Sequence, residues 1–427
     1  MSKKHLQFLA AGLTCLTLSA QAQTWQSGTD IPIPVRAGNT AAYSKSGNGH
    51  LYIASGRNTE GAIIKTLQHY NLNTNTWDTL APHPTGLLGG GTAVLKDSLY
   101  LVGGVVNPPG AGQTTVYRYN IVANTWSQVA DCPFAVVDGK AVAYKDSLIY
   151  VAGGYGGADS GNVTVYNAQT NTWRQATPIP TTGRINFGGF AISGDTLIYM
   201  CGTDYFSSPT YFNTVYLGII SATDKSVINW IPGAPFPGNT RSFFDAHNWG
   251  SGRIIMTGGS TDNTFNSPSD ECYLYKLADN SWTPLPSKPK RWLTGQSGSV
   301  QLPGNTWKLI CASGYDTAYM HENEIFTMTP PPLSANTLSK GSNQLAQNVP
   351  NPFRSETSIS YTLTVPGPVT LSVYDVVGKK LREVVTGLQP AGQYTFRFYR
   401  DGLQAGIYYY TLRQGEFSVT KTMAITE

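Results

Sequence analysis

Short runs of alternating apolar and polar residues, separated by turn residues, fill most of the chain. One typical unit begins with an apolar run from Thr92 to Leu95, and the polar turn Lys96-Asp97-Ser98 follows it. A second apolar run ends in a glycine pair, and Val116, Tyr117 and Tyr119 belong to a third run. Runs of this length with a period of two predict β-strands. The pattern therefore indicates an all-β protein built from four-stranded units.

Two strings recur from unit to unit. The first is an eight-residue pattern that opens with tyrosine and closes with tryptophan, and it occupies 70–77, 119–126, 166–173 and 275–282. The second is a strand that ends in two glycines, as at Gly103-Gly104, Gly153-Gly154 and Gly258-Gly259. Other units change the first glycine only, to give Ser55-Gly56, Cys201-Gly202 and Ser313-Gly314. A backbone that turns tightly in a crowded place favours glycine.

The spacing of the units predicts how many there are. Tryptophans that end units stand 47 to 57 residues apart, at positions 25, 77, 126, 173, 230 and 282. A period of this size with four short strands is typical of a β-propeller blade. The last unit, from Gly298 to Thr329, has no tryptophan strand of its own, and Trp25 supplies one. We therefore predict six blades, with the ring closed by the N-terminal strand, which leaves fewer exposed edges.

The paired glycines, the tyrosine before the turn and the tryptophan seven residues later resemble the kelch family. The resemblance covers about three hundred residues, and it implies a six-bladed kelch β-propeller over residues 23–329. In kelch propellers, the link from one blade to the next approaches the mouth of the central channel. Candidate binding residues are therefore expected in those links.

Residues 1–22 have the features of a secretory signal peptide. Lys3 and Lys4 precede an apolar run from Leu6 to Leu18, and Ala20-Gln21-Ala22 follows. This order predicts cleavage after Ala22, and the apolar run is too short to span a membrane. The mature chain is expected to have no membrane span.

Beyond the propeller, residues 330–343 form a Pro/Ser/Asn linker, and residues 344–427 contain a second series of alternating strands. Examples are Ile359, Tyr361 and Leu363, and then Tyr394, Phe396 and Phe398. About eighty residues of such strands predict a small Ig-like β-sandwich.

This tail resembles the type A C-terminal sorting domain of the Por, or type IX, secretion system. The resemblance lies in spaced elements that include Pro350, Asn351, Pro352, Phe353, Gly378, Gly406, Tyr408 and Lys421. It implies a Bacteroidota source, export through the periplasm by the type IX machinery, and delivery to the outer surface or the medium. An adhesive or sugar-binding sandwich is the alternative, since sandwiches have many functions.

Composition agrees with a turn-rich extracellular protein, because only 13% of residues are charged while Gly (45), Pro (26) and Tyr (25) are abundant. The net charge of +4 is small and no long Lys/Arg run occurs, so nucleic acid is not an expected partner. Four cysteines lie in different predicted blades, at 132, 201, 272 and 311. Buried free thiols are favoured over disulfides, which require Cβ atoms about 4 Å apart.

Four of the six predicted links between blades carry an arginine, and these are Arg36, Arg184, Arg241 and Arg291. If they converge, their planar guanidinium groups form a cationic cup suited to carboxylates of acidic sugars or peptides. The kelch resemblance supports this hypothesis, since kelch domains that bind acidic peptides use arginines in comparable links. The alternative is that each arginine pairs with an aspartate or a peptide carbonyl between blades.

Catalysis is a separate possibility. Copper radical oxidases resemble kelch propellers but need two tyrosines, two histidines and a cysteine, and no such set is evident around the histidines at 50, 69, 83, 247 and 321. Some secreted six-bladed kelch proteins epimerise or mutarotate sialic acid, and a base could come from the carboxylates Glu60, Glu271, Glu322, Glu324 or Asp245. Gly-x-Ser-x-Gly is absent from the sequence.

The sequence therefore predicts a secreted kelch propeller that binds a glycan or protein ligand through its blade-connecting loops, without a cofactor or metal. An enzyme acting on an acidic sugar and a structural adhesion module are the alternatives. The type IX secretion machinery is the expected partner.

Overall fold

The computed structural model describes residues 23–106, 110–154, 161–181, 185–204, 210–262, 266–328, 343–364, 367–389, 392–414 and 417–427. Six four-stranded antiparallel sheets account for residues 23–328, which confirms the predicted six-bladed propeller. In chain order, the strands of the first three blades are Asn39–Lys45, Asn48–Ala54, Leu67–Asn71 and Thr76–Leu80; Gly91–Leu95, Ser98–Val102, Val116–Asn120 and Thr125–Val129; and Lys140–Tyr144, Leu148–Ala152, Val163–Asn167 and Thr172–Ala176.

The other three blades repeat this order from an inner to an outer strand. Their strands are Gly189–Ser193, Thr196–Met200, Val215–Ile220 and Ile228–Gly233; Asp245–Asn248, Arg253–Thr257, Cys272–Lys276 and Ser281–Leu285; and, in blade 6, Gln296–Leu302, Thr306–Ala312, Asn323–Met328 and Gln23–Ser27. A 3-10 turn, Pro303–Asn305, joins the first two strands of blade 6.

Blade 6 is completed by the N-terminal strand, as the sequence predicts. Gln23–Ser27 pairs antiparallel with Asn323–Met328 along its full length. The Trp25 ring packs 5.1 Å from that of Phe326, which is fully buried. The two ends of the propeller chain therefore meet within one sheet.

The recurring Tyr-to-Trp string fastens the blade that contains it to the preceding blade. In blade 2, the Tyr119 hydroxyl donates to Oδ1 of Asn124 at 2.7 Å, and that oxygen also accepts the backbone N–H of Ala81, at the end of blade 1, at 2.8 Å. The Trp126 indole donates to the Ala81 carbonyl at 2.8 Å. All six unit-ending tryptophans donate to the end of the preceding blade, at Pro286, Thr29, Ala81, Ala130, Thr177 and Ala234. The repeat is thus an interblade clamp as well as an apolar contact.

Backbone geometry explains why only the first glycine of each pair varies. The first position has φ near +60° in every unit, as at Ser55 (+62°) and Cys201 (+59°), and non-glycine residues can adopt this value at some cost. The second position ranges from +85° at Gly154 to +125° at Gly314, where L-residues are strained. Glycine is therefore kept at the second position.

The tail folds as two sheets around its own core, in agreement with the predicted sandwich. One sheet contains Gln344–Leu345, Glu356–Leu363 and Gly392–Tyr399, and the other contains Lys380–Gln389, Gly367–Tyr374, Gly406–Gln414 and Phe417–Ile425. Residues such as Ile359, Val373 and Met423 fill the space between them.

All four cysteines of the described chain are buried and free, as the sequence favours. The described residues also contain no helix with the length and apolar character needed to cross a bilayer.

Candidate functional site

One end of the propeller, here called the loop face, carries the links between blades and the loops that follow the second strand of each blade. The link Val35–Arg36 pairs with Arg57–Asn58 in such a loop. In other blades a single β-bridge joins the link to the loop in the same way, as between Leu88 and Val105 and between Leu293 and Tyr315. The links are therefore held against the loops that surround the channel mouth.

A ring of equivalent residues closes around the channel at this end. Each stands two positions before the first residue of the inner strand of its blade and has φ between +48° and +61°, and the six are Ala37, Gly89, Asp138, Phe187, Phe243 and Thr294. Backbone N–H groups donate around the ring, for example from Gly89 to Ala37 at 3.1 Å and from Thr294 to Phe243 at 3.0 Å. Burial raises the pKa of Asp138 in this ring to about 7, and nearby Lys140 opposes the shift.

Two of the predicted arginines, both from links between blades, contact one short hairpin in blade 6 that is formed by Tyr315–Asp316 and Ala318–Tyr319. The Arg36 guanidinium lies 5.3 Å from the ring centroid of Tyr315 and 5.6 Å from that of Tyr319, within cation–π range. Arg291 contacts Asp316 at 3.4 Å and remains largely exposed. These tyrosines were not among the predicted site residues, although two aromatic residues four positions apart in a loop are visible in the sequence.

Arg241 lies behind the surface. Its side chain is fully buried, donates to the Gly258 carbonyl at 2.9 Å and forms an ion pair with Glu271. Glu271 keeps 44% of its side-chain exposure, so the pair holds a carboxylate at the loop face. Arg184 lies outside the described residues.

The carboxylates named as candidate bases differ in their surroundings. Glu324 is buried in an ion pair with Lys288, and Asp245 pairs with Lys140 inside the channel. Glu322 lies 3.6 Å from the Lys290 ammonium, while Glu60 is exposed.

His50 and His69 are neighbours in blade 1, and the other histidines of the described chain lie elsewhere in the propeller. His50 Nδ1 lies 2.9 Å from His69 Nε2, His83 packs edge-on against Trp126 at 4.7 Å, and His247 Nε2 lies 2.8 Å from the Ser297 hydroxyl. Within the described part of the chain, no three His, Cys, Asp or Glu side chains are grouped so that they could hold a metal ion.

Buried histidines give the propeller a predictable pH dependence. Burial lowers the pKa of His69, His83 and His247 to about 4, so the unfolded chain takes up protons first as pH falls. Their contribution is present above the unfolded value of about 6.5 and is lost as pH falls toward 4. In His83→Gln, the slope of unfolding free energy against pH between 6.5 and 4.5 should decrease by up to about 1.4 kcal/mol per pH unit.

Urea denaturation at a series of pH values measures this slope. The control is His321→Gln, because His321 is exposed and its replacement should leave the slope unchanged. An unchanged slope in His83→Gln would contradict the assignment.

In the tail, the predicted sorting residues contribute to closing one sheet edge. Phe353 is buried and its carbonyl accepts the Thr426 N–H at 2.8 Å, while Asn351 Oδ1 accepts the Ala424 N–H at 2.8 Å.

The other predicted sorting residues lie in turns and strands of the tail. Gly378 has φ of +83° in a turn. The Tyr408 hydroxyl donates to the Gln404 carbonyl at 2.9 Å. The remaining members are Pro350, whose carbonyl accepts the Thr357 hydroxyl, Pro352, Gly406, which opens a strand, and Lys421, opposite Tyr410.

Two family models match the chain. The KLHDC2/KLHL20/DRC7 kelch-repeats domain matches residues 10–203, and the secretion system C-terminal sorting domain matches residues 349–426. No curated protein sequence matches the chain.

Solved structures share the fold. The structure titled "Structure of YjhT" is 15% identical with a TM-score of 0.55, over 71% of this chain and 97% of that one. A fungal alcohol oxidase of the AA5 family, in complex with copper, is 14% identical with a TM-score of 0.52, over 95% of this chain and all of the other. At this identity the likeness concerns fold alone.

The repeats, the six closed blades and the two family matches all indicate a kelch-type propeller followed by a sorting domain. The sorting domain implies interaction with the type IX secretion machinery. The chain therefore contains a kelch-type β-propeller followed by a C-terminal sorting domain, and the sorting domain indicates export by the type IX secretion system to the cell surface or the extracellular space.

Proposed function

We propose that the propeller is a binding module that recognises an acidic glycan at the loop face, where blade 6 meets blade 1. The observation that carries the proposal is the position of Arg36 over the two tyrosines of the Tyr315–Tyr319 hairpin.

The hairpin offers the two kinds of contact that an acidic sugar needs. Tyr315 and Tyr319 are half-buried, with ring centroids 5.8 Å apart, and an aromatic ring can pack against the C–H face of a sugar ring. An arginine fork can bind a carboxylate through two parallel hydrogen bonds. Arg36 and the exposed Arg291 flank this hairpin.

Arg241 has a supporting role in this proposal. Because its side chain is inaccessible, it positions Glu271 at the surface and does not touch the ligand. The ion pair between Arg291 and Asp316 is exposed and therefore weak, so a ligand carboxylate can replace Asp316 at modest cost.

The proposal is tested by screening the purified protein against neutral and acidic glycans. Acidic glycans should bind, and the double variant Arg36→Ala, Arg291→Ala should weaken binding tenfold or more, since charge-assisted hydrogen bonds contribute about 1.5–3 kcal/mol. Arg184→Ala is assayed in parallel as the remaining member of the predicted cup.

The matched control is Arg174→Ala. Arg174 has a similar exposed ion pair, with Asp224 at 3.3 Å, but it lies on the outer strand of blade 3. Equal binding by the double variant and the control would disprove the loop-face site. Failure of every glycan to bind would instead point to a protein ligand.

A further inference from the structure

The central channel holds a cavity that is separate from the loop-face hairpin. The inner strands of all six blades enclose about 230 Å³. Small residues form much of its wall, among them Ala41, Ala93 and Ala191 from blades 1, 2 and 4. A group of polar side chains from the other three blades also faces the cavity.

Four of these side chains come from three different blades. Lys140 of blade 3 forms an ion pair with Asp245 of blade 5. The Ser297 hydroxyl of blade 6 lies 3.4 Å from Asp245 Oδ2 and 2.8 Å from His247 Nε2. The Lys140 and Asp245 side chains keep 32% and 21% of their exposure, so small molecules within the channel can reach them.

The other four blades have no charged residue at the position of this ion pair. Lys140 and Asp245 occupy the first position of their inner strands, where blades 2 and 4 have Gly91 and Gly189 and blades 1 and 6 have the uncharged residues Asn39 and Gln296. The ion pair joins blades 3 and 5 across blade 4, where Gly189 has no side chain. Partly buried ion pairs contribute little net stability, because desolvation offsets their attraction. A role in ligand binding accounts for side chains that the fold alone leaves unexplained.

The chemistry of the network selects a neutral, hydroxyl-rich molecule. The charges of Lys140 and Asp245 cancel, and burial lowers the pKa of His247 to about 4, so that the imidazole is neutral at pH 7. An ammonium donates, a carboxylate accepts, and a hydroxyl does both, which matches the paired donor and acceptor character of sugar hydroxyls. The cavity is below the roughly 300 Å³ at which drug-sized sites begin, so it suits a single sugar ring.

We propose that the central channel is a binding site for a neutral monosaccharide, with Lys140, Asp245 and Ser297 as its hydrogen-bonding residues. This inference does not rest on acidic-glycan binding at the loop face, because the two sites share no residue.

Saturation-transfer NMR on the full protein tests the proposal, with D-glucose, D-galactose, D-mannose, N-acetyl-D-glucosamine and myo-inositol as probes at 20 mM, on the order of weak single-sugar affinities. At least one probe should give a signal. Titration calorimetry should then show affinity reduced tenfold or more in Asp245→Asn and about threefold to tenfold in Ser297→Ala.

Two controls identify the site. Lys145→Ala removes a lysine from the turn after the same inner strand, where it pairs with Asp195 at 3.1 Å outside the cavity, and affinity should be unchanged. Arg36→Ala should likewise have no effect. Absence of signal from every probe would overturn the proposal, as would full binding by Ser297→Ala, which decides the matter if Asp245→Asn does not fold.

Discussion

Deletion of Gln23–Ser27 is expected to lower the unfolding free energy of the propeller by about 5 kcal/mol or more, which approaches the whole stability of many domains. The strand supplies the outer edge of blade 6, and its removal leaves the edge of Asn323–Met328 unpaired. It also removes Trp25 from its contact with Phe326, and loss of a packed tryptophan costs about 3 kcal/mol. The Trp25 indole further donates to the Pro286 carbonyl at 3.0 Å, so the clamp to blade 5 is lost as well.

Urea denaturation followed by tryptophan fluorescence measures the effect. Thr24→Ala and Gln26→Ala are the controls, because these exposed side chains lie on the same strand and their loss should change stability by less than about 0.5 kcal/mol. Trp25→Phe keeps a ring beside Phe326 but removes the hydrogen bond to Pro286, and it should cost about 1 kcal/mol. A deletion variant with an unchanged urea midpoint would show that the strand does not close the ring.

The architecture was predictable because its chemistry is local and repeated. Four of the six interblade clamps use a tyrosine, an asparagine and a tryptophan within eight residues, so the sequence displays them directly, as at Tyr119, Asn124 and Trp126. Closure by Trp25 followed from counting, since one unit lacked a tryptophan strand. The variation of the glycine pair needed the structure, because the sequence does not reveal that the two positions differ in φ.

The site residues were less predictable because a side chain's identity does not fix its direction. Arg241 and Arg36 occupy equivalent links, yet one guanidinium is fully buried beside Glu271 and the other packs on two tyrosines. The ion pair of Lys140 and Asp245 joins residues 105 apart in sequence. Such contacts depend on the curvature of the ring, and no spacing along the chain records them.

The seam between blades 5 and 6 contains the other interaction with a large expected effect. Lys288 and Glu324 are 2% and 4% exposed and form an ion pair. Lys288 also donates to the Lys290 carbonyl at 3.1 Å, and its ammonium lies 4.7 Å from the Trp292 ring centroid. Glu324 lies on the strand that pairs with the N-terminal strand, opposite Ser27. The pair therefore lies between the last continuous blade and the one that closes the ring.

Lys288→Met should lower the unfolding free energy by about 3–5 kcal/mol, because it leaves the Glu324 carboxylate buried without its partner. The double variant Lys288→Met, Glu324→Leu should lose less than this single variant, since it leaves no unpaired charge, and a double-mutant cycle by urea denaturation measures the coupling. The neighbouring pair of Lys290 and Glu322 is the matched control: it has the same residue types, is exposed and should cost less than about 1 kcal/mol when Lys290 is changed to Met. Equal losses of unfolding free energy in Lys288→Met and Lys290→Met would contradict this prediction, because the buried ion pair would then matter no more to stability than the exposed one.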